Sequence, residues 1–176
     1  FIVGTLSFQN KHSASFMLGV CDIFQTFPSF VYLIPVMMLF GITDTSVLIA
    51  VIVYATIPAT RYTIEGLRSV PAGLHDAATM SGVNKFQRLT KIEFPLAFPH
   101  MMLGINQTIV FALFMVIIGA FIGTEDLGQY ILKALSDKNG AGIGLTLGVC
   151  VAFIALIFDN LIRSWVEKRK KHLGIA

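Results

Sequence analysis

The sequence predicts an all-α integral membrane protein, a polytopic helix bundle, and three observations carry that expectation. Hydrophobic residues make up 55% of the chain and charged residues only 13%, with a mean hydropathy of +0.76, whereas soluble domains average about 25% charged residues. Uncharged runs cover residues 23–43, 45–60, 101–124 and 139–158, and a helix needs about 20 apolar residues to cross the hydrocarbon core. The charges between these runs are lopsided. Lys11, Arg61, Arg68, Lys85, Arg88, Lys91, Arg163 and Lys168 to Lys171 fall on one side, leaving only Lys133 and Lys138 of the 13 basic residues on the other, beside Asp44, Glu125, Asp126 and Asp137. The positive-inside rule therefore places the central loop and the C-terminus in the cytoplasm.

Taken in order, the elements form a single transmembrane domain over 1–176. Spans are expected at about 1–8 (partial), 23–41, 45–61, 101–123 and 142–162, with a cytoplasmic loop over 62–100. The opening FIVGTLSF lacks an initiating Met and reads as the last turns of a helix, so the domain is expected to be N-terminally incomplete. Pro28 and Pro35 interrupt the 23–41 span, because a proline inside a helix removes a backbone donor and bends it. The turn Gly41-Ile42-Thr43-Asp44 sends the chain back, and the 16 uncharged residues that follow borrow length from Ile42, Thr43, Tyr62 and Ile64.

The loop is rich in helix formers. Ser69 is expected to cap a helix over about 71–80 with Pro71 in its first turn, and Gly82 to supply the left-handed stop. A second, basic helix is expected from Asn84 as cap through Phe94, ended by Pro95 and Pro99. Beyond the 101–123 span, Leu127, Ile131, Leu132 and Leu135 stand at helical spacing, which predicts a short amphipathic helix at the outer surface. Gly140, Gly142, Gly144 and Gly148 open the last span, where small residues let membrane helices approach.

Isolated residues carry less. Cys21 and Cys150 lack CxxC spacing and are read as buried small apolar groups. His12, His75, His100 and His172 lie too far apart for a ligand set, and His75 is read as a loop residue. Asp159 stands four residues before Arg163, a spacing that suits a structural ion pair. Asn106, Gln107 and Thr108 are polar at membrane depth and either line a water-filled path or bond neighbouring helices. Phe27, Phe30 and Tyr32 offer aromatic faces to a passing cation, although packing explains them as well. The tail WVEKRKKH suits orientation and contact with anionic lipid, not nucleic acid.

The polar stretch DAATMSGVNKFQRLTKIEFP at 76–95 carries the sharpest signal. Asp76-Ala77-Ala78, three residues, Gly82, nine residues, Ile92, one residue, Phe94 and Pro95 resembles the EAA loop of ABC-importer permeases, departing from it with Asp at 76 and Phe at 94. QTFPSFVYLIPVMMLFGI at 25–42, IPATRYTIEGLRSVPAGLHDAA at 57–78 and GINQT at 104–108 are similar to the glycine betaine/proline branch of that family. The segment GTEDLG at 123–128 departs from the family's Gly-Gly-Leu-Gly turn, with Glu125 and Asp126 read as solvated charges or contacts to a binding protein.

The resemblance implies a bundle of the type I ABC-importer permease (MetI-like) kind in a bacterial inner membrane, with a coupling helix in the loop. It implies that Asp76, Ala77, Ala78, Gly82, Ile92 and Pro95 dock a cytoplasmic ATPase. Asn106, Gln107, Thr108, Phe27 and Tyr32 are the candidates for the translocation path. A permease homodimer and an extracytoplasmic solute-binding protein complete the implied assembly, and the cargo is a compatible solute such as glycine betaine, proline or a related methylated amine. Methionine or taurine as cargo, or a secondary transporter that needs no ATPase, are the alternatives. No catalytic residue, metal or cofactor is expected on this chain, because ATP and Mg bind the partner ATPase and no GxxxxGK[ST] phosphate loop occurs here.

Overall fold

The computed structural model describes residues 1–123, 127–137 and 140–173, and every regular element among them is helical. The helices are α1 (Ile2–Phe8), α2 (Lys11–Thr26), α3 (Phe30–Phe40), α4 (Asp44–Arg68), α5 (Ala72–Met80), α6 (Lys85–Arg88), α7 (Phe94–Gly119), α8 (Leu127–Ser136) and α9 (Ala141–Leu173). A π-helical turn, Leu89–Glu93, joins α6 to α7, and a 3-10 turn, Ala120–Ile122, follows α7. Three stretches, Asp44–Arg68, Lys85–Ile122 and Ala141–Arg169, are long and apolar enough to cross a membrane, and α2 with α3 qualifies together as a broken fourth.

The chain divides into two compact units. The first comprises Phe1–Phe24, Pro58–Ile105 and Ile162–Ala176, the second Gln25–Ile57 and Asn106–Leu161. In the first unit Leu67, Ala97, Met101, Met102 and Val166 form a buried cluster, with Phe8, Leu89, Phe98, Ile105 and Ile162 packed on it. Backbones come close there. A Cβ added at Gly104 would stand 2.7 Å from Tyr62 Cβ, and one at Gly66 would stand 2.9 Å from His100 Cβ. Glycine at both positions lets α4 and α7 pack at a separation that a side chain forbids.

Several boundaries differ from the sequence expectation, each for a physical reason. The 23–41 stretch is two helices, because Phe27-Pro28-Ser29 breaks the run between α2 and α3. The residue before a proline is pushed out of helical geometry, and Pro28 has no N–H to continue the ladder. Pro35 stays inside α3. Helix α4 runs past residue 61 to Arg68. No proline intervenes between 61 and 68, and Arg61 Nε donates to Glu65 Oε1 one turn on (2.9 Å) and also pairs with Asp22. Arg68 Nη2 donates to Ser15 Oγ at 3.0 Å and to the Lys11 carbonyl at 3.3 Å.

Pro95 and Pro99 do not end a helix; both lie within α7. The wide turn at Leu89–Glu93, where Phe94 N–H reaches the Leu89 carbonyl, takes up the extra residue that lets the Pro95 ring enter the following helix without colliding with the turn before it. Helix α9 continues to Leu173, so most of the basic tail is helical.

In the second unit the Gly41–Asp44 turn is closed by side chains. Fully buried Ser46 donates from Oγ to the Gly41 carbonyl (2.6 Å), and its N–H bonds Thr43 Oγ1 (3.3 Å). The amphipathic helix expected from Leu127 is present as α8, with Gly128 and Ala134 buried and Leu135 exposed. Of the glycines opening α9, Gly140 approaches the backbone of Ala134, whereas Gly142 and Gly148 face open space. Cys21 is buried, but Cys150 is exposed, contrary to expectation.

Replacing Gly104 with Ala is expected to lower the thermal midpoint of the purified protein, with overpacking costing about 1–3 kcal/mol. Gly73→Ala, at a helical position with no neighbour within 4 Å, is expected to leave the midpoint unchanged or raise it, because Ala is the better helix former.

Candidate functional site

The EAA-like stretch folds around α5. Ser69 does not cap this helix; its hydroxyl donates to the Gly66 carbonyl (2.7 Å), and Pro71 takes the N-cap position. At the other end the stop is as expected. Gly82 adopts φ +71, Gly82 N–H bonds the Thr79 carbonyl (3.1 Å) and Val83 N–H bonds the Ala78 carbonyl (3.2 Å). This reciprocal pair satisfies two carbonyls at the helix end and needs a residue that tolerates positive φ.

The six residues expected to dock a partner are not all presented alike. Asp76 and Ala77 are exposed on α5, whereas Ala78 is buried against its own chain at 4% exposure. Ala78 therefore faces inward, and the thin face that a groove can receive consists of Asp76 and Ala77. Ile92 and Pro95 are half-buried and, with Ala77, Ala78, Leu74 and Leu96, line an open groove of 480 Å³. Phe94, the first residue of α7, is exposed. Met80, 90% exposed, and Phe86, 73% exposed, stand near the helix as large apolar side chains that sequence reading did not single out.

The short α6 begins as anticipated at Asn84. Its Oδ1 accepts from Gln87 N–H (2.8 Å) while Gln87 Oε1 accepts from Asn84 N–H (3.2 Å), so two otherwise orphaned donors are satisfied together. Sequence reading missed Glu93. It is 2% exposed, accepts from Arg88 Nε at 2.9 Å and lies 3.0 Å from His75 Nδ1. A carboxylate is almost never this buried unless paired. The π turn swings Glu93, five residues on, back over Arg88, a meeting that ordinary helical periodicity does not suggest. His75 sits on α5 and not in a loop.

In the second unit, the polar residues at membrane depth have separate fates. Asn106 is buried and donates from Nδ2 to Asp159 Oδ1 on α9, so it bonds a neighbouring helix. The sequence offered a bond from Asn106 to a neighbouring helix but did not point to Asp159 as its acceptor. Gln107 and Thr108 are half-buried. Tyr32 is buried and packs its ring 5.1 Å from that of Tyr54, which stacks at 4.8 Å on Phe111. Phe30 meets Phe121 edge to face at 5.8 Å. Phe27 lies in the break before α3 and is 44% exposed. Asn106 and Tyr32 thus each make contacts within the unit. Thr124, Glu125 and Asp126 of the GTEDLG segment lie outside the described residues.

Replacing Asn106 with Leu removes a donor from Asp159 and is expected to destabilise the purified protein by about 1–3 kcal/mol. The double variant with Asp159→Leu should recover part of the lost thermal midpoint, the non-additivity that marks a direct contact. An unchanged midpoint in Asn106→Leu would contradict the contact.

Comparison with known proteins places this geometry. Residues 1–172 match the family model described as "Binding-protein-dependent transport system inner membrane component". The chain is 90% identical over 176 residues to the trimethylamine N-oxide transport system permease protein TmoV of Pelagibacter ubique (strain HTCC1062), covering all of this chain and 24% of the relative. It is 36% identical over 156 residues to the glycine betaine/proline betaine transport system permease protein ProW of Salmonella typhimurium, covering 89% of this chain and 44% of that one. The chain thus spans a quarter to a half of the length of these relatives. Its fold matches a chain of the MetNI methionine ABC transporter in an inward-facing crystal form with a TM-score of 0.82 at 19% identity, over 95% of this chain and 84% of the other. With its apolar helices, the protein is a multi-pass membrane protein, and it belongs to the family of binding-protein-dependent transport system inner membrane components.

Proposed function

We propose that this chain is the permease part of an ATP-driven importer for a methylated amine, with trimethylamine N-oxide as the first candidate cargo and glycine betaine or proline betaine as close alternatives. The observation that carries the reading is 90% identity along the whole chain to a trimethylamine N-oxide permease. The exposed Asp76-Ala77 face of α5, stopped sharply at Gly82, supports a role in receiving force from a partner. In this reading the chain has no catalytic residue. ATP and Mg bind a separate cytoplasmic ATPase, and the permease alternates between inward-open and outward-open states.

The charge asymmetry supports a topology with the α5 loop and the C-terminus in the cytoplasm. Asp76 and Ala77 then touch the ATPase directly, while Gly82 shapes the exit of α5. Ile92 and Pro95 line the groove behind it. Two permease copies and an extracytoplasmic solute-binding protein complete the assembly. Affinity for the cargo resides largely in the binding protein, since Asn106 and Tyr32 are occupied by contacts within the chain.

The test is uptake of radiolabelled trimethylamine N-oxide into vesicles carrying the full-length permease, its ATPase and its binding protein. Uptake should require ATP and fall in the Gly82→Asp variant, whose left-handed backbone costs about 1–3 kcal/mol with a non-glycine residue, while the protein remains inserted. Uptake that runs equally without ATP would overturn the proposal. Uptake of glycine betaine in place of trimethylamine N-oxide would change only the cargo.

A further inference from the structure

Among the described residues Glu93 is the most buried charged side chain in the first unit, and the membrane does not explain it. It lies in the polar loop, at the end of a π turn, where the neighbouring Lys85 and Lys91 are exposed and Arg88 is half-buried. Its carboxylate is shared by two elements that are separate in sequence. Arg88 Nε, at the end of α6, donates to Oε1 at 2.9 Å, and His75 Nδ1, on α5, stands 3.0 Å from the same oxygen. Helix α5 is otherwise poorly held: Ala72, Gly73, Leu74, Asp76, Ala77, Thr79 and Met80 are all exposed, and only Ala78 is buried. The residue after Glu93 begins α7.

We propose that Glu93 is a positioning residue that fixes α5 to the root of α7, so that a displacement imposed on the exposed Asp76-Ala77 face is delivered to α7 and not lost in loop motion. The inference rests on the transport reading given above. Two features make the carboxylate suited to the task. A buried, charge-assisted contact is short and strongly directional, so it resists sliding where an apolar contact does not. The π turn places the carboxylate over Arg88, and such wide turns persist where a local geometry is needed that a regular helix cannot give. The imidazole meets the carboxylate through its Nδ1 edge. An amide at the same place reproduces that donor, and an aliphatic side chain of similar bulk does not.

The test uses the full-length permease assembled with its ATPase and binding protein, in three variants: Glu93→Gln, His75→Leu and His75→Asn, whose amide nitrogen takes the place of Nδ1. Two quantities are read from each preparation: amide hydrogen exchange across residues 72–80, and radiolabelled trimethylamine N-oxide taken up per ATP hydrolysed. In Glu93→Gln and His75→Leu, exchange across α5 should quicken by about tenfold, and uptake per ATP should fall by about tenfold while hydrolysis continues. His75→Asn should stay within about twofold of wild type in both, since one donor hydrogen bond to the carboxylate is kept.

Unchanged exchange in Glu93→Gln would overturn the attachment of α5. Faster exchange with uptake per ATP unchanged would overturn its part in transmission, as would a parallel loss of uptake and hydrolysis in all three variants. A wild-type complex that takes up no methylated amine with ATP would overturn the transport reading instead, and the exchange result would still decide whether Glu93 holds α5.

Discussion

The helical run from Lys85 to Ile122 is the constraint on which the rest of the structure depends. It begins in a polar segment, passes a π turn and two prolines, and continues through an apolar stretch long enough to cross a membrane. Within lipid every backbone donor and acceptor needs an internal partner, so a loop that must act on a span does so best by becoming part of it. The EAA-like segment is therefore not a connector laid between two spans. Its second half runs through α6 and the π turn into α7, and its first half, α5, is a short helix held at one edge by buried Ala78 and by the carboxylate that precedes α7.

Charge and size divide the remaining work. Glycines stand where helices approach, as at Gly66 and Gly104 against α4 and α7 partners, while many large apolar residues, among them Met38, Leu39 and Phe153, are exposed. That arrangement inverts the soluble pattern because lipid rewards apolar surface and gives no hydrophobic drive to helix association. Several polar side chains inside the apolar stretches make bonds there: Thr63 donates to the Ala59 carbonyl, Ser46 to the Gly41 carbonyl and Asn106 to Asp159.

Much of this was legible in the sequence. The α5 helix with its stop at Gly82, the Asn84 cap, the turn at Gly41 and the amphipathic α8 each carry a local chemical signature, and each forms within a residue or two of the expected place. What escaped is non-local. The prolines at 95 and 99 read as terminators because the π turn that accommodates Pro95 depends on no single residue type. The orientation of Ala77 outward and Ala78 inward depends on what packs beneath α5, and adjacent alanines look identical in a sequence. The contacts of Glu93 with His75 and of Asp159 with Asn106 escaped because those partners lie 18 and 53 residues away, beyond any helical period. Cys150 misled for the same reason, since exposure to lipid and burial in protein suit the same small apolar side chain.

The most direct test of the account is site-specific crosslinking from the two alanines to the partner ATPase in the assembled full-length complex. Single cysteines at Ala77 and Ala78, paired with cysteines along the ATPase surface, should give adducts from position 77 whose yield changes with nucleotide, and few from the buried position 78. Equal adducts from both positions, or none from 77 in a complex that still hydrolyses ATP, would contradict the claim that the exposed face of α5 is where the chain receives its force.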